Sequence, residues 1–445
     1  MPRVAFVPFT GFRIREREML ELGMSLPGLQ QRAAAIAQLP ALGLLTLAGM
    51  TPDHWDSTYH EASGADESLA DRIASEKPSL VAISALTASV DDAYRFSAML
   101  RWRGLRTVIG GLHATACPDE ARQHCDAVVV GDGEPVWHDV LADAESGIIK
   151  PIYMARVPFD LRQAPLPRYD LLGTRRRPRW TVQTQRGCPF ACEFCGASRL
   201  LGPFRTKPTE RIRAELDAIA SRDPHPLVEL ADDNTFAGNR NPTALFEALD
   251  AVDARYFTEV DWRVGEQPDV LAGLAASGCV QVLVGIESLL FRYPGMGQKD
   301  ADLSRMMDAL AAIQDAGVAV IGCFIVGCDG ETRQSLDKLA RFLDDCPLAD
   351  VQLTVQTPFP GTALYRRLER EGRLIAERGW SWHTLFDVAY RPDTMSVEEL
   401  EKAFRDLVCT VFGPKPTQRR TAIRRRVWRN HPKLRPCVSA HCSST

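Results

Sequence analysis

Two blocks of alternating strand-like and helix-like segments, separated by a proline-rich stretch, most strongly limit how this chain can fold. The first block has five short apolar runs with segments of helical composition between them, at residues 4–9, 56–61, 80–84, 107–109 and 127–130. Short strands that alternate with helices form parallel sheets with helices on both faces. Residues 1–145 are therefore predicted to form such a domain, with its ligand site beyond the carboxyl ends of the strands.

The second block repeats this alternation after a linker. Residues 146–178 contain several prolines and the run Arg175-Arg176-Arg177, which is typical of a connecting segment. Six further strands are predicted at 180–184, 227–230, 260–263, 281–285, 318–326 and 351–355. Six parallel βα units favour a partial (β/α)6 barrel over residues 179–375, with an active site at the C-terminal ends of its strands.

The remainder, residues 376–445, is predicted to be a small helical region with a basic tail. An aromatic segment at 380–390 is expected to close the barrel, and Ser396-Val397-Glu398-Glu399 has the pattern of a capping box at a helix start. From Lys415 to Thr445 the chain has basic residues and no acidic residue, and a partial apolar stripe. This pattern allows peripheral contact with an anionic membrane. The fold class is therefore α/β with a helical C-terminal region.

Composition and charge exclude several classes of protein. Apolar residues make up 45% and charged residues 25% of the 445 positions, as in ordinary globular proteins. The net charge is −4 although the tail is basic. The rest of the chain is thus acidic, which argues against nucleic acid as a partner. No apolar run suits a membrane helix or a signal peptide, so we expect a cytoplasmic protein. Its 12 cysteines should be reduced and available for metal or redox chemistry.

Three closely spaced cysteines form the sharpest local signal. Cys188, Cys192 and Cys195 directly follow the strand at 180–184, with spacers of three and two residues. Three thiolates on one loop can hold an iron–sulfur cluster, which normally takes four cysteines, so one iron would stay open. A zinc knuckle would need a fourth ligand nearby, and the next candidate along the chain is His225. The spacing therefore favours a [4Fe-4S] cluster with an open iron site.

The cysteine segment resembles the C-x3-C-x-aromatic-C signature of the radical S-adenosylmethionine (SAM) superfamily. The resemblance implies that SAM binds the open iron and that Phe194 lies against its adenine. It also implies that one electron from the cluster cleaves SAM to methionine and a 5′-deoxyadenosyl radical.

Two later pairs of residues resemble SAM-binding positions of the family barrel. Asp232 and Asp233 follow the second barrel strand, where the family has its ligand for the amino group, although the usual Gly-Gly-Glu is absent. Glu287 and Ser288 follow the fourth strand and are similar to the ribose-binding turn. Each pair by itself could equally be a helix cap. Together with the cysteines they are interpreted as SAM-binding residues.

The first block resembles the Rossmann-like domain of the cobalamin-binding branch of that superfamily. The similarity rests on a Ser-x-Leu element, a Gly-Gly element and a closing Gly-Asp-Gly-Glu turn after successive strands. The D-x-H-x-x-G motif is missing, so the resemblance implies cobalamin bound without a histidine on cobalt. A degenerate domain that binds nothing or another nucleotide is the alternative. The residues expected to bind cobalamin are Ser84, Leu86, Gly110, Gly111, His113, Gly131, Gly133 and Glu134.

These resemblances imply a cobalamin-dependent C-methyltransferase that acts on an unactivated carbon of a small-molecule or lipid-like substrate. Its electron donor would be of the flavodoxin or ferredoxin type. The alternative is an enzyme with the same cofactors that does not methylate and instead performs cyclisation, ring contraction or oxidative cyclase chemistry. Methylthiolation of transfer RNA would require a second cysteine triad, and residues 1–145 contain only Cys117 and Cys125. A non-enzymatic corrinoid carrier would have no use for the triad.

Overall fold

The computed structural model describes residues 1–11, 13–26, 29, 39–173, 177–238, 241–297 and 302–434. Two six-stranded parallel sheets organise this part of the chain. Arg175, Arg176 and the tail beyond residue 434, which were singled out in the sequence, lie outside the described residues.

The first sheet has the strand order β2-β1-β3-β4-β5-β6, and all its pairs are parallel. The chain leaves β1 toward β2 and then returns to the other side of β1, so the connection reverses between β1 and β3. Ligands of open parallel sheets bind at such a reversal. The strands are β1 (Arg3–Pro8), β2 (Asp56–Tyr59), β3 (Leu80–Ser84), β4 (Thr107–Gly110), β5 (Ala127–Val130) and β6 (Ile152–Met154).

Both faces of this sheet are buried, because successive side chains of a strand point to opposite sides. In β1, Val4 and Phe6 belong to one core and Ala5 and Val7 to the other. The helices that cover the faces include α2, whose residues pack against the side of Phe6. The described helices here are α1 (Arg17–Ser25), α2 (Leu42–Met50), α3 (Glu67–Ser75), α4 (Val90–Trp102), α5 (Leu112–Ala116), α6 (Pro118–His124) and α7 (Trp137–Ser146).

The segment predicted as a linker contains part of this sheet. Residues 152–154 form β6, which pairs with β5 as the sixth strand. The sheet therefore continues beyond residue 145, where the sequence pattern placed the start of the linker. Pro151 immediately precedes this three-residue strand, which is compatible with an edge position because an edge strand leaves one side without ladder bonds.

The second sheet has the order β14-β13-β12-β11-β10-β7 with parallel pairs throughout, so it forms the predicted partial barrel. One predicted strand was misplaced: residues 255–260 form β11, and the chain turns at Asp261, whose side chain accepts the backbone N–H of Arg263. The barrel strands are β7 (Trp180–Val182), β10 (Leu227–Leu230), β11 (Arg255–Val260), β12 (Cys279–Glu287), β13 (Ala319–Val326) and β14 (Asp350–Val355).

Short elements and helices surround the barrel. The strands β8 (Gln185–Arg186) and β9 (Arg205–Thr206) form an antiparallel pair that flanks the cysteine segment. The predicted capping box is confirmed, with reciprocal hydrogen bonds between Ser396 and Glu399. The described helices are α8 (Ala197–Leu200), α9 (Thr209–Ala220), α10 (Thr243–Asp250), α11 (Pro268–Ser277), α12 (Leu303–Asp315), α13 (Arg333–Asp345), α14 (Ala363–Arg370), α15 (Val397–Phe412) and α16 (Pro414–Arg429).

The basic helix α16 lies across the N-terminal ends of the barrel strands. Val427 is buried against Ala319 and Ala349, and Trp428 packs beside it while its indole N–H donates to the carbonyl of Val280. The apolar stripe that suggested membrane contact is therefore occupied by the barrel. Among the described helices, none has the length and apolarity needed to span a bilayer.

A charge on the docked face of α16 should destabilise the protein. Val427→Asp would place an unpaired carboxylate in a buried apolar contact, and we expect about 3 kcal/mol less free energy of unfolding. The control is Arg425→Asp, an exposed position of the same helix, where we expect a change within about 0.5 kcal/mol. Urea unfolding of the full chain measures both. Equal, small effects would mean that the stripe is not packed in solution.

Candidate active site between the two sheets

The start of the cysteine segment is fixed by a buried carboxylate. Asp232 accepts hydrogen bonds from the backbone N–H groups of Thr184 and Gln185, at 2.8 and 3.1 Å, and from the hydroxyls of Thr184 and Thr235, at 2.5 and 3.0 Å. Burial raises the pKa of Asp232, and these hydrogen bonds oppose that shift. All the described partners of Asp232 lie inside the protein. It therefore positions the chain ahead of Cys188. The sequence had instead suggested a SAM-binding role for Asp232, for which a carboxylate engaged in this way is not free.

The middle of the segment is held by the turn at residues 294–295. The N–H of Ala191 donates to the carbonyl of Gly295, and the N–H of Glu193 donates to that of Pro294. Gly295 has a φ of +84°, and a side chain there would collide with the Ala191 carbonyl. Glycine is therefore required at this contact. The Glu193 carboxylate also accepts a hydrogen bond at 3.0 Å from Arg367 of α14.

Two of the three cysteines, Cys192 and Cys195, pack among apolar side chains. None of them is in a disulfide, Cys192 is buried, and Cys188 and Cys195 are half-buried. The side chains of Cys192, Cys195 and Phe194 pack with Tyr293, whose ring is 4.8 Å from that of Phe194 in an edge-to-face contact. No three of the described His, Cys, Asp or Glu side chains converge as ligands of a single metal ion. The loop thus presents thiols next to a wall of aromatic and aliphatic groups.

The other predicted SAM-binding residues, Asp233, Glu287 and Ser288, differ in the surroundings of their side chains. The Asp233 carboxylate has no hydrogen bond to another described residue, and burial and the charge of Asp232 raise its pKa to about 6. Glu287 is buried at a β-bulge with a φ of +69°, a strained value for a residue with a side chain. The Ser288 hydroxyl accepts the N–H groups of Leu290 and Phe291, so it mainly caps this turn.

A groove runs along the carboxyl edge of the first sheet. Its volume is about 500 Å³. Gly111 has a φ of +106°, and a Cβ at this position would stand 3.3 Å from the Ser84 hydroxyl. The floor of the groove is therefore made of backbone. Of the residues predicted to bind cobalamin, the lining includes Ser84, Leu86, Gly110, Gly111, Gly131, Gly133 and Glu134.

His113 does not line this groove, in contrast to its predicted role. Its ring is buried, with Nδ1 3.3 Å from the Thr87 hydroxyl and Nε2 3.3 Å from Glu120. The Trp380 indole N–H donates to the same Glu120 carboxylate. His113 thus belongs to a contact between the N-terminal domain and the C-terminal segment, because α5 turns its side chain away from the sheet edge.

Glu134 lies in the groove wall, but its carboxylate is paired with an arginine of β8. Arg186 of β8 forms ion pairs with Glu134 at 2.7 Å and with Asp132 at 2.8 Å, and Arg205 of β9 binds Asp132 at 2.7 Å. Burial would raise the pKa of Asp132, but the hydrogen bonds from Arg205 and Phe159 and the charge of Arg186 lower it. We call these four charged residues the interdomain clamp. The sequence analysis assigned no role to Arg186 or Asp132, although Arg186 lies two residues before Cys188 and Asp132 lies in the Gly-Asp-Gly-Glu turn.

A second cavity connects the groove with the cysteine loop. It has a volume of about 470 Å³, and most of its lining is apolar. Phe194 and Cys195 line one side, and Leu86, which is 64% exposed, lines the side it shares with the groove. Residues 383–386 form another part of the wall. The aromatic segment therefore borders the cavity, whereas the sequence had suggested that it only closes the barrel.

Three family models match successive parts of the chain. The B12 binding domain model matches residues 33–141, the Radical SAM superfamily model matches residues 182–343, and a domain of unknown function (DUF4070) matches residues 362–437. The fold resembles a solved structure of OxsB, a cobalamin-dependent SAM radical enzyme, with 15% identity and a TM-score of 0.68. The alignment includes 97% of this chain and 72% of the OxsB chain. The chain belongs to the cobalamin-binding radical SAM superfamily.

Curated relatives extend this assignment. An uncharacterized methyltransferase of Synechocystis is 29% identical over 76% of this chain, which spans 64% of that relative's length. Bacteriochlorophyllide d C-12(1)-methyltransferase of Chlorobaculum tepidum is 24% identical over 83% of this chain and 82% of its own. Anaerobic magnesium-protoporphyrin IX monomethyl ester cyclase of Rubrivivax gelatinosus is 21% identical over 76% of this chain and 66% of its own.

The cofactors of this superfamily are a [4Fe-4S] cluster, SAM and cobalamin, and the described residues fit them. The cysteine loop offers three thiols, two of which pack among aromatic and aliphatic side chains, and such partial shielding from water suits a cluster. Next to it, the Gln356 amide has a buried Nε2 without a partner among the described residues, and Asp233 has a spare carboxylate. The glycine floor of the groove lets a large ligand approach the backbone. No histidine lies among the described residues that line this groove.

The two adjacent aspartates should have separable effects. Asp232→Asn puts an amide N–H₂ where hydrogen-bond donors already face the carboxylate, so the loop loses its anchor and iron per chain should fall severalfold after anaerobic reconstitution. Asp233→Asn should leave the iron content unchanged and weaken SAM binding about tenfold, measured by calorimetry. For the wild type, SAM binding should weaken as the pH falls through about 6 and Asp233 becomes protonated. Equal iron loss in both variants would contradict this division.

The interdomain clamp should make stability depend on pH in a defined direction. The pKa of Asp132 is lowered in the folded state. The contribution of this carboxylate to the free energy of unfolding is therefore complete above the ordinary aspartate pKa, and it is lost as the pH falls below that value. We expect Asp132→Asn to lower the free energy of unfolding by about 3 kcal/mol at pH 7. This difference from the wild type should shrink at pH 3. The exposed Asp119→Asn is the control, and a difference independent of pH would exclude an ionic clamp.

Proposed function

We propose that this chain is a C-methyltransferase that methylates an unactivated carbon of a small, largely apolar molecule. The observation that carries the proposal is the cavity shared by both cofactor regions. Phe194 and Cys195 of the cysteine loop line it together with Leu86 and Leu112 of the groove. A reaction that draws on both regions requires its substrate to lie within reach of both at once.

The residues of the chain would hold and shield the reacting groups. When bound, the cluster with SAM supplies hydrogen-atom abstraction, and cobalamin supplies the methyl group. Cys188, Cys192 and Cys195 would hold the cluster, and Asp233 would bind the amino group of SAM. The apolar wall would exclude water, which protects a reactive substrate from side reactions.

The chemistry of the cavity also supports a substrate class. Its lining is mainly apolar, and several polar groups in the wall are already paired: the Ser89 hydroxyl accepts from Arg13, and the Thr384 hydroxyl donates to Asp387. An apolar substrate with few polar groups suits such a wall. The pigment named for the Chlorobaculum relative is consistent with this class. A one-electron donor of the flavodoxin or ferredoxin type would reduce the cluster.

The second candidate is cobalamin-dependent radical chemistry without methylation. The match to the Rubrivivax cyclase is the observation that favours it. The cavity would serve either reaction, because both require an enclosed substrate next to both cofactor regions. The two candidates differ in their products.

Product analysis separates the candidates. The full chain is reconstituted without oxygen with iron, sulfide and hydroxocobalamin, reduced with titanium citrate, and incubated with SAM and a panel of apolar small molecules. Methylation should form S-adenosylhomocysteine and 5′-deoxyadenosine together with a product heavier by one methylene. A converted substrate that yields 5′-deoxyadenosine without a matching share of S-adenosylhomocysteine would establish the second candidate instead.

One variant at each site tests the cofactor assignment. Cys188→Ala should abolish 5′-deoxyadenosine formation while about one cobalt per chain is retained. Gly111→Val should prevent cobalt binding while about four irons are retained. The valine side chain would press against the Ser84 hydroxyl, and valine disfavours the positive φ of this position. Metal analysis of desalted protein measures both. Iron without cobalt in the wild type would exclude the proposed methyl transfer.

A further inference from the structure

A carboxylate inside the cysteine loop has no role in the cofactor sites described above. Glu193 directly follows Cys192 and stands two residues before Cys195, so it lies between two of the residues that would hold the cluster. Its side chain is only 8% exposed. A charge shielded from water acts more strongly on its surroundings, because the interaction between charges grows as the effective dielectric constant falls. The charge of Glu193 therefore bears on whatever the neighbouring thiols bind.

One arginine compensates this charge. Arg367 of α14 donates to both carboxylate oxygens of Glu193: Nη2 lies 3.0 Å from Oε1, and Nε lies 3.4 Å from Oε2. Paired hydrogen bonds between a guanidinium and a carboxylate are strong and define the orientation of both groups. The backbone also holds α14 against the loop, since the N–H of Leu364 donates to the carbonyl of Glu193 at 2.9 Å. Arg367 is therefore fixed relative to the cysteine loop.

The pair continues into a row of alternating charges that leads toward the surface. Arg367 also binds Asp329 at 2.6 Å, and Asp329 binds Arg373 at 2.8 Å. At the outer end Glu371, which is 39% exposed, lies 2.9 Å from Arg373 and 3.7 Å from Arg367. The row thus has one carboxylate in excess, and that carboxylate stands at the exposed end. At the inner end, beside the cysteines, the charges are balanced.

This balance bears on how readily a cluster at the loop accepts an electron. Reduction adds one electron, and therefore one negative charge, to the cluster. The reduction potentials of iron–sulfur clusters depend on nearby charge, on hydrogen bonds to the sulfurs and on exposure to solvent. An uncompensated Glu193 would repel the added charge and lower the potential. The guanidinium of Arg367 opposes that repulsion.

We propose that Arg367 is a positioning residue that acts through Glu193 and keeps the reduction potential of the cluster higher than the buried carboxylate alone would set it. In this step one electron passes from a one-electron donor to the cluster, and no bond of the protein forms or breaks. The inference rests on the proposed function in one respect, because it assigns a [4Fe-4S] cluster to the three cysteines of the loop. It does not depend on the transfer of a methyl group.

Variants that change the charge test the proposal on the full chain, reconstituted without oxygen with iron, sulfide and hydroxocobalamin. The electron paramagnetic resonance signal of the reduced cluster is followed while titanium citrate and redox mediators lower the solution potential. Arg367→Gln should shift the equilibrium about tenfold toward the oxidised cluster, which is about 59 mV for one electron. Glu193→Gln should shift it by a similar factor toward the reduced cluster.

Three further variants separate charge from structure. Arg367→Lys keeps the positive charge and should leave the potential near that of the wild type. The double variant Arg367→Gln with Glu193→Gln removes both charges and should return the potential to the same value. Arg366→Gln makes the same change of charge at an exposed position of the same helix, where solvent and salt screen it, so the equilibrium should shift by less than about twofold.

A merely structural pair would not produce shifts of opposite sign. The inference is wrong if both single variants move the potential in the same direction, if neither moves it, or if Arg367→Lys behaves like Arg367→Gln. If Arg367→Gln retains too little iron for a titration, the comparison of Glu193→Gln with the double variant decides. The double variant leaves no unpaired carboxylate at this position, so the difference between the two potentials measures the effect of Arg367 alone.

Failure of this inference can be told apart from failure of the proposed function. A wild type that binds no iron would refute the cluster assignment and with it the proposed function. Missing cobalt, or absent S-adenosylhomocysteine with an accepted substrate, would refute methyl transfer whatever the potentials show. About four irons per chain and both SAM products, without opposite shifts in the two single variants, would refute only the role of Arg367.

Discussion

The geometry of the whole site depends on one buried set of ion pairs, in which Arg186 of β8 and Arg205 of β9 bind Asp132 and Glu134 in the turn that follows β5. Arg186 immediately precedes Gly187 and Cys188, so the residue that joins the domains also begins the cysteine loop. Buried ion pairs add little net stability when intact, because desolvation offsets their attraction, but they are costly to break. In this protein they join the wall of the groove directly to the residue that begins the cysteine loop.

Much of this arrangement could be predicted from local sequence. Parallel strands bring their carboxyl ends to one edge, so Ser84, Gly110 and Gly131 could be placed together before their contacts were known. Cysteine spacing likewise identified the loop. The roles of neighbouring polar residues could not be predicted, because they depend on distant partners. Asp232 binds Thr184, whereas the Asp233 carboxylate has no hydrogen-bond partner among the described residues, and α5 turns His113 away from the groove.

The same limit applies to larger segments. A stripe of apolar residues shows that a helix has a face to bury, but not whether lipid or protein covers it. In α16 the barrel covers that face through Val427 and Trp428.

The wall at residues 383–386 also bears on how the protein matures. A ribosome makes the chain from its N-terminus, so the first sheet and the cysteine loop emerge well before this wall does, and domains generally fold as units during synthesis. The groove and the thiols therefore exist for a time without the segment that later encloses the space between them.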